Sequence, residues 1–145
     1  MKFSLCLPFL GNYPISQKFG NRPDMQTKPV YSKWSITGHD GLDFALPTAT
    51  KVLAVYKGEV IQSGENDDYG ISITIKHSWG TSLYAHLQKS FVQLNDKVIK
   101  GKVIALSDQT GFTTGPHLHF AIRLKGWDPN NGYLGYCNPM PYFKN

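Results

Sequence analysis

The sequence predicts an all-β fold: an antiparallel β-sheet core with a smaller sheet, and long loops that form an open groove. Short runs rich in Val, Ile, Thr and aromatic residues recur along the chain, separated by turn residues that include many of the 14 Gly and 9 Pro. No stretch shows helical periodicity over about ten residues or more. With 145 residues, 41% of them apolar and 17% charged, we predict a single globular domain spanning residues 1–145.

The first third of the chain predicts short extended pieces joined by loops. Residues 3–20 are interpreted as a strand, a turn at Gly11-Asn12 and a second extended piece. The polar segment 21–33 contains prolines and has no clear period, so it predicts a loop. Asp40-Gly41 and residues 47–50 are turn signals that frame the next extended piece.

From residue 52 onward the strand pattern is nearly continuous. The predicted strands are 52–55, 60–62, 71–75, 81–87, 98–99 and 103–106. We interpret the first two as strands around a tight turn at 57–59. A loop of small residues, 111–115, leads into a last strand, and residues 126–145 predict irregular structure laid over the sheet.

Charge and cysteine usage narrow the possible partners and ligands. The net charge of +5 suits a polyanion such as nucleic acid, an anionic membrane or an anionic cell wall. No block of five or more like charges occurs, so we predict no nucleic-acid arm, and no apolar run approaches the roughly 20 residues of a membrane span. Cys6 and Cys137 are predicted to be free buried thiols, with a bridge between them as the alternative; the absence of C-x-x-C excludes cysteine-based zinc.

The N-terminus predicts no leader sequence. Met1-Lys2 precedes an apolar run that Pro8 interrupts, and no small-residue cleavage site follows. We therefore expect a protein made in the cytoplasm.

Two histidines occupy alternate positions near the end of the chain. If residues 115–120 form a strand, His117 and His119 point to one face while Leu118 and Phe120 point to the other. Two imidazoles on one face can present nitrogens to a single metal ion. The alternative is an edge strand with two solvated histidines, because H-x-H alone is a weak motif.

A carboxylate and a third imidazole can complete such a site. His39 and Asp43 are four residues apart across a turn, and a turn running into a strand can bring both to one point. Two imidazoles and one carboxylate are the ligands of a catalytic zinc that keeps a fourth position for water. Spacing alone leaves open which of His117 and His119 is the ligand, and His86 is available for proton transfer.

Three motifs in order resemble one known family. H-x-x-x-D at 39–43, Y-A-H-L at 84–87 and T-G-P-H-L-H-F at 114–120 resemble the lysostaphin-type (LytM-like) zinc metalloendopeptidases, which cut bacterial peptidoglycan. F-G-N-R at 19–22 and N-D-K-V-I-K-G at 95–101 are similar to further family segments, although Asn95 replaces a common Gly. The likeness runs from about residue 13 to about residue 124.

The resemblance implies specific roles for five residues. His39, Asp43 and His119 would bind one Zn²⁺ per chain, and His86 and His117 would be the catalytic histidines. Which of His86 and His117 is the general base stays open. The chain keeps all five positions.

The resemblance also implies an activity and a partner. The expected activity is hydrolysis of amide bonds in peptidoglycan stem peptides or cross-bridges, by a monomer that acts on the cell wall. An enzyme of that kind without a leader would fit a phage lysin or virion component, or a misassigned gene start that hides a signal peptide. The alternative function is a catalytically silent wall-binding or regulatory module of the same fold.

Other residues receive secondary predictions. His77 is predicted to be a surface histidine in a turn, and Tyr84 and Phe120 to be core or groove-wall residues. Residues 107–110 replace a more glycine-rich approach to the 111–115 loop and are predicted to touch no ligand. Candidates for lining the groove are Asn12, Trp34 and Tyr69.

Overall fold

The structure, a computed structural model, describes residues 2–21, 36–111 and 115–144. Within these ranges the chain forms ten strands and two short 3₁₀ turns, with no α-helix. The strands are β1 Ile15–Gln17, β2 Leu42–Phe44, β3 Lys51–Leu53, β4 Gly58–Glu65, β5 Ile71–His77, β6 Gly80–Ser90, β7 Lys97–Val98, β8 Val103–Ser107, β9 Leu118–Leu124 and β10 Tyr136–Cys137. The 3₁₀ turns are η1 Asp67–Tyr69 and η2 Met140–Tyr142. No helix in the described ranges has the length and apolar character needed to cross a membrane.

The strands form one open antiparallel sheet, which confirms the predicted fold class. Its main order is β1-β2-β9-β6-β5-β4-β7, with β10 attached to β9. Strand β8 pairs with both β6 and β3, so β3 and β8 form the smaller sheet as a branch of the main one. Strand β9 lies between β2 and β6, and this arrangement brings three distant parts of the chain together.

The predicted hairpin between the strands that begin at residues 52 and 60 is wrong. Strand β3 pairs with β8, whereas β4 pairs with β5 and β7. The connecting residues Ala54 and Val55 are fully buried, and the Val55 N–H donates to the Tyr84 hydroxyl at 3.0 Å. Because these residues enter the core, the chain crosses to a new strand position instead of folding back on itself.

Apolar residues on β5, β6 and β9 build the core beneath the sheet. Ile73, Ile75, Tyr84 and Phe120 are all fully buried, which confirms the core assignment for Tyr84 and Phe120. Asn95 adopts φ 75°, a conformation that Asn tolerates better than most residues, so the Gly-to-Asn departure at this turn is accommodated.

The C-terminal tail is more regular than predicted. Strand β10 pairs with β9, and Phe143 forms a bridge with Leu5 near the other end of the chain. Cys6 and Cys137 are free, as predicted, but only half-buried. This partial burial raises the pKa of both thiols.

His77 is buried, so its assignment to the surface is wrong. The turn after β5 is so tight that His77 pairs with Gly80 at the start of β6. The ring stacks on Trp79 with centroids 4.6 Å apart, and its Nε2 lies 2.8 Å from the Ser82 hydroxyl. Its Nδ1 lies 2.7 Å from the Lys57 carbonyl oxygen. Burial lowers the pKa of His77 to about 4, although the Lys57 hydrogen bond acts in the opposite direction.

We expect His77 to make the fold sensitive to acid. The unfolded chain protonates this side chain near its ordinary pKa of about 6.5. The folded chain does so only near about 4. The unfolded state therefore binds more protons in this window, and stability falls as the pH drops through it. Between pH 7 and pH 5, the free energy of unfolding should fall less in His77→Asn than in the parent, by on the order of 1–2 kcal/mol. Urea unfolding at the two pH values measures this difference. Equal losses in both proteins would contradict this assignment.

Candidate metal centre

Strand pairing places the predicted ligands side by side. Asp43 on β2 is the register partner of His119 on β9, and His119 is in turn the partner of Ala85 on β6. His39 precedes β2, and its backbone is held on both sides: its N–H donates to the Asn21 carbonyl at 3.1 Å, and its carbonyl accepts from Gly20 at 2.7 Å.

Three ligand atoms form a compact triangle. His119 Nδ1 lies 3.0 Å from Asp43 Oδ1 and 3.2 Å from His39 Nε2, and His39 Nε2 lies 3.2 Å from Asp43 Oδ1. All three residues are buried. Bond lengths of about 2.0–2.1 Å around a tetrahedral zinc separate its N and O ligands by roughly 3.3 Å. The triangle therefore fits the zinc ligand set expected from the sequence.

A second carboxylate, Asp40, lies close to the same histidines. One ligand atom each from His39, Asp40 and His119 falls within 4.8 Å of the others. Asp40 approaches His119 through Nε2, at 3.2 Å, whereas the triangle with Asp43 uses Nδ1. The Asp43 triangle is the tighter of the two groupings, and it matches the predicted ligands.

The electrostatics of the cluster favour a positive charge. Burial opposes ionisation of Asp43, but hydrogen bonds and proximity to His119 and His39 outweigh it and hold the Asp43 pKa well below its ordinary value. Burial likewise opposes a charge on His119, yet the carboxylates of Asp40 and Asp43 raise its pKa to about 10. A buried site that stabilises positive charge this strongly is suited to a cation.

His86 lies on β6 next to the triangle, in an unusual backbone conformation. Its φ of 62° is left-handed, and it stands where β6 stops pairing with β9 and begins pairing with β8. Its Nδ1 lies 2.6 Å from the Thr110 carbonyl oxygen, so Nδ1 carries the proton and Nε2 is the free acceptor. Burial and the nearby His119 lower the pKa of His86 to about 4, which keeps the ring neutral near pH 7.

His117 completes the group, immediately before β9. Its Nδ1 lies 2.9 Å from the Gly115 carbonyl oxygen, and its Nε2 lies 3.6 Å from Asp43 Oδ2. The His117 and His86 rings have centroids 4.9 Å apart. The fold thus brings all five predicted site residues into one cluster, with two imidazoles beside the triangle.

The residues before the 111–115 loop contribute more to the site than the sequence indicates. The Thr110 carbonyl oxygen lies 2.6 Å from His86 Nδ1 and orients that ring. The Thr110 hydroxyl donates to the Leu87 carbonyl at 2.6 Å and accepts from the Ile71 N–H at 3.1 Å. These bonds hold the loop against two strands, which fixes the Thr110 carbonyl in place.

Of the three residues predicted to line the groove, one lies at the site within the described part of the chain. The Tyr69 hydroxyl donates to Asp40 at 2.8 Å, so this tyrosine lies at the site. Asn12 is exposed, and Trp34 lies outside the described residues. Sequence reasoning missed Asp40 because Asp40-Gly41 was interpreted only as a turn; the available signal was a second acid inside the H-x-x-x-D motif.

Comparisons with known proteins agree with this geometry. The profile of Peptidase family M23 matches residues 37–131, a range that contains all five predicted site residues. The chain is 38% identical over 117 residues to the DD-carboxypeptidase/endopeptidase Mpg of Neisseria meningitidis, covering 80% of this chain and 26% of Mpg. It is 34% identical over 118 residues to the peptidoglycan DD-endopeptidase ShyA of Vibrio cholerae, covering 79% of this chain and 27% of ShyA.

A solved structure shares the fold over nearly the whole chain. The catalytic domain of the antimicrobial peptidase lysostaphin from Staphylococcus simulans superposes with a TM-score of 0.75 at 28% identity. The match covers 92% of this chain and 94% of that domain. By contrast, the chain spans only 26% and 27% of the two curated relatives named above.

Proposed function

This chain belongs to peptidase family M23, and we propose that it is a zinc-dependent endopeptidase of bacterial peptidoglycan. Its substrates would be amide bonds in stem peptides or cross-bridges. The observation that carries the proposal is the buried triangle of two imidazole nitrogens and one carboxylate oxygen, with two further imidazoles beside it. A relative named as a peptidoglycan endopeptidase supports the substrate class.

The three triangle residues would hold the metal. The ligating atoms would be His39 Nε2, Asp43 Oδ1 and His119 Nδ1. The Lys18 carbonyl oxygen lies 3.2 Å from His39 Nδ1, so the proton of this ring sits on Nδ1 and Nε2 is free for the metal. When bound, zinc supplies Lewis-acid polarisation of the scissile carbonyl and acidifies water.

The two remaining histidines would move protons. Each donates its Nδ1 proton to a backbone carbonyl, which leaves Nε2 as the working atom. One imidazole would accept a proton from the attacking water at Nε2. The other, protonated at Nε2, would donate a hydrogen bond to the developing oxyanion and then a proton to the leaving amine. The hydrogen bonds at Nδ1 do not distinguish the two rings, but the lowered pKa of His86 favours it for the role that starts from a neutral ring.

We further propose that residues 1–145 act as a single peptidase domain and that the basic surface holds it on an anionic wall. The first point is supported by the lysostaphin catalytic domain, which is matched almost end to end. The second is supported by the net charge of +5. This attraction should weaken as salt rises, because exposed charges are screened over about 8 Å at physiological ionic strength.

Release of free amino groups from purified sacculi tests the proposed activity. We expect release that a chelator abolishes and added Zn²⁺ restores, because the triangle cannot polarise a carbonyl without its metal. Sacculi with direct stem-peptide links and sacculi with glycine cross-bridges should both be used. Mass spectrometry of the fragments then identifies the cleaved bond.

The same experiment can contradict the proposal. A protein that carries one zinc per chain, binds both kinds of sacculi and releases nothing would be a wall-binding module. Release that persists unchanged after complete removal of zinc would exclude the metal-dependent mechanism.

A further inference from the structure

Asp40 lies on the opposite side of the His119 ring from the triangle. Its Oδ1 is 3.2 Å from His119 Nε2, and its Oδ2 accepts a hydrogen bond from the Tyr69 hydroxyl at 2.8 Å. Asp40 is 6% exposed and His119 4% exposed, so water competes little for either group. The two oxygens of this carboxylate therefore face two different side chains.

The ring geometry separates Asp40 from the ligands. The lone pairs of Nδ1 and Nε2 diverge across an imidazole ring, so a group that faces Nε2 cannot share a metal bound at Nδ1. Nδ1 is the nitrogen that faces Asp43 and His39. Asp40 is thus placed to contact the ligand rather than the metal.

His119 Nε2 needs an acceptor. It is a buried atom, and within the described part of the chain no group makes a well-aligned hydrogen bond to it. The contact with Asp40 Oδ1 is short enough for such a bond but off its ideal direction. Buried donors in proteins are almost always paired, and Asp40 Oδ1, at 3.2 Å, is an acceptor in reach of this atom.

Tyr69 is held firmly enough to orient Asp40. It is the last residue of η1, and its ring stacks on His119 with centroids 5.7 Å apart and planes inclined by 29°. Tyr69 also packs against the small apolar cluster of Leu83, Ala121 and Tyr136. The hydroxyl therefore reaches Asp40 from a fixed position.

We propose that Asp40 is a positioning residue for the metal centre. Its carboxylate accepts the Nε2 proton of His119, which leaves the lone pair on Nδ1 for the metal, and the Tyr69 hydroxyl holds the carboxylate in place. Metal-binding histidines commonly donate their second N–H to a carboxylate, and losing that partner typically weakens metal binding about 10–100-fold. The proposal rests on the metal site of the proposed function but not on its substrate.

Cobalt binding tests the role of Asp40. Co²⁺ alone is titrated into the apo protein in competition with a chelator while its visible absorption is recorded. Asp40→Asn keeps the shape and removes the negative charge, so we expect about 10–100-fold weaker binding with the same tetrahedral spectrum. Tyr69→Phe should weaken binding by about 2–10-fold, the range of one net hydrogen bond. Tyr142→Phe is the matched control, since Tyr142 stacks on Phe3 away from the site, and it should bind as the parent does.

Two outcomes would overturn the inference. One is unchanged Co²⁺ affinity in Asp40→Asn and Tyr69→Phe. The other is loss of binding in Asp40→Asn together with an altered ligand-field spectrum, as in Asp43→Ala, which would make Asp40 a ligand. If Asp40→Asn does not fold, Tyr69→Phe decides alone, and unchanged affinity in that variant overturns the inference.

Imidazole NMR of the zinc-loaded protein gives a readout independent of affinity and of hydrolysis. We expect His119 to show a metal-bound Nδ1 and a low-field proton on Nε2 that moves upfield in Asp40→Asn. A proton resonance unaffected by Asp40→Asn would contradict the proposal. A protein that shows these effects but cleaves no wall peptide would refute the proposed function while supporting this inference.

Discussion

His119→Ala is expected to lose metal and hydrolysis together, whereas His117→Ala is expected to keep the metal and lose only hydrolysis. The two residues are only two positions apart, with His117 immediately before β9 and His119 within it, yet His119 Nδ1 lies within 3.2 Å of both other triangle atoms. His117 instead stands beside His86, 4.9 Å away between ring centroids. Two alanine substitutions two residues apart should therefore separate metal binding from proton transfer.

The two substitutions should lower two different quantities, zinc affinity in His119→Ala and kcat/KM in His117→Ala. Loss of one of three ligands should weaken zinc binding by more than about 100-fold, beyond the loss typical of an outer-shell partner. Loss of a general acid or base should lower kcat/KM about 10²–10⁴-fold at unchanged zinc content. Zinc content by elemental analysis and the rate of amino-group release measure the two properties separately.

His77→Asn provides the control for these substitutions. It alters a buried histidine whose partners are Lys57, Trp79 and Ser82, outside the cluster, so zinc content and activity should both stay near the parent values. A fully active His119→Ala protein would rule out the ligand assignment. A His117→Ala protein with wild-type kcat/KM would remove His117 from the mechanism.

Gly41→Ala is expected to damage the site without replacing a ligand. A Cβ at Gly41 would lie 2.5 Å from the Phe120 carbonyl oxygen and 2.9 Å from His119 Cε1. Since Leu42 pairs with Phe120 in the next position, β2 must move away from β9 to make room. Overpacking of this kind costs about 1–3 kcal/mol, and the same movement separates Asp43 from His119.

Gly115→Ala is the matched control for Gly41→Ala. It also adds one methyl group near the start of β9, but nothing in the described part of the chain lies within 4 Å of the new Cβ. The free energy of unfolding, measured in urea, and the zinc affinity should both fall in Gly41→Ala. Both should stay near the parent values in Gly115→Ala. Equal zinc affinity in the two variants would show that the spacing of β2 and β9 does not control the metal site.

Local structure could be predicted from the sequence where one short motif contains the signal, and the five predicted site residues lie together in the structure. Alternation over 115–120 predicted Phe120 on the apolar face, and Phe120 is fully buried, although the strand begins at Leu118 and leaves His117 just outside it. The resemblance selected His119 as the ligand, a choice that spacing alone could not make. The structure brings that residue into the triangle.

Long-range pairing limited the rest of the prediction. Strand β3 pairs with β8 and not with β4 because Ala54 and Val55 enter the core. A short stretch of sequence does not show that the chain leaves one strand position for another at this point. The burial of His77 could not be predicted because its partners lie on β6, at Ser82, and just before β4, at Lys57. Asp40 was missed for the same reason, since its contact is with a histidine on β9.

The central place of β9 in the sheet has a consequence for how the chain folds during synthesis. β9 is the second-to-last strand, and it fills the gap between β2 and β6. His119 lies 76 residues beyond Asp43 and 80 beyond His39 in the chain. A growing chain that has not reached β9 has two open strand edges and only part of its ligand set. Such non-local pairing folds slowly, so we expect a nascent chain to be prone to edge association until β9 has been synthesised.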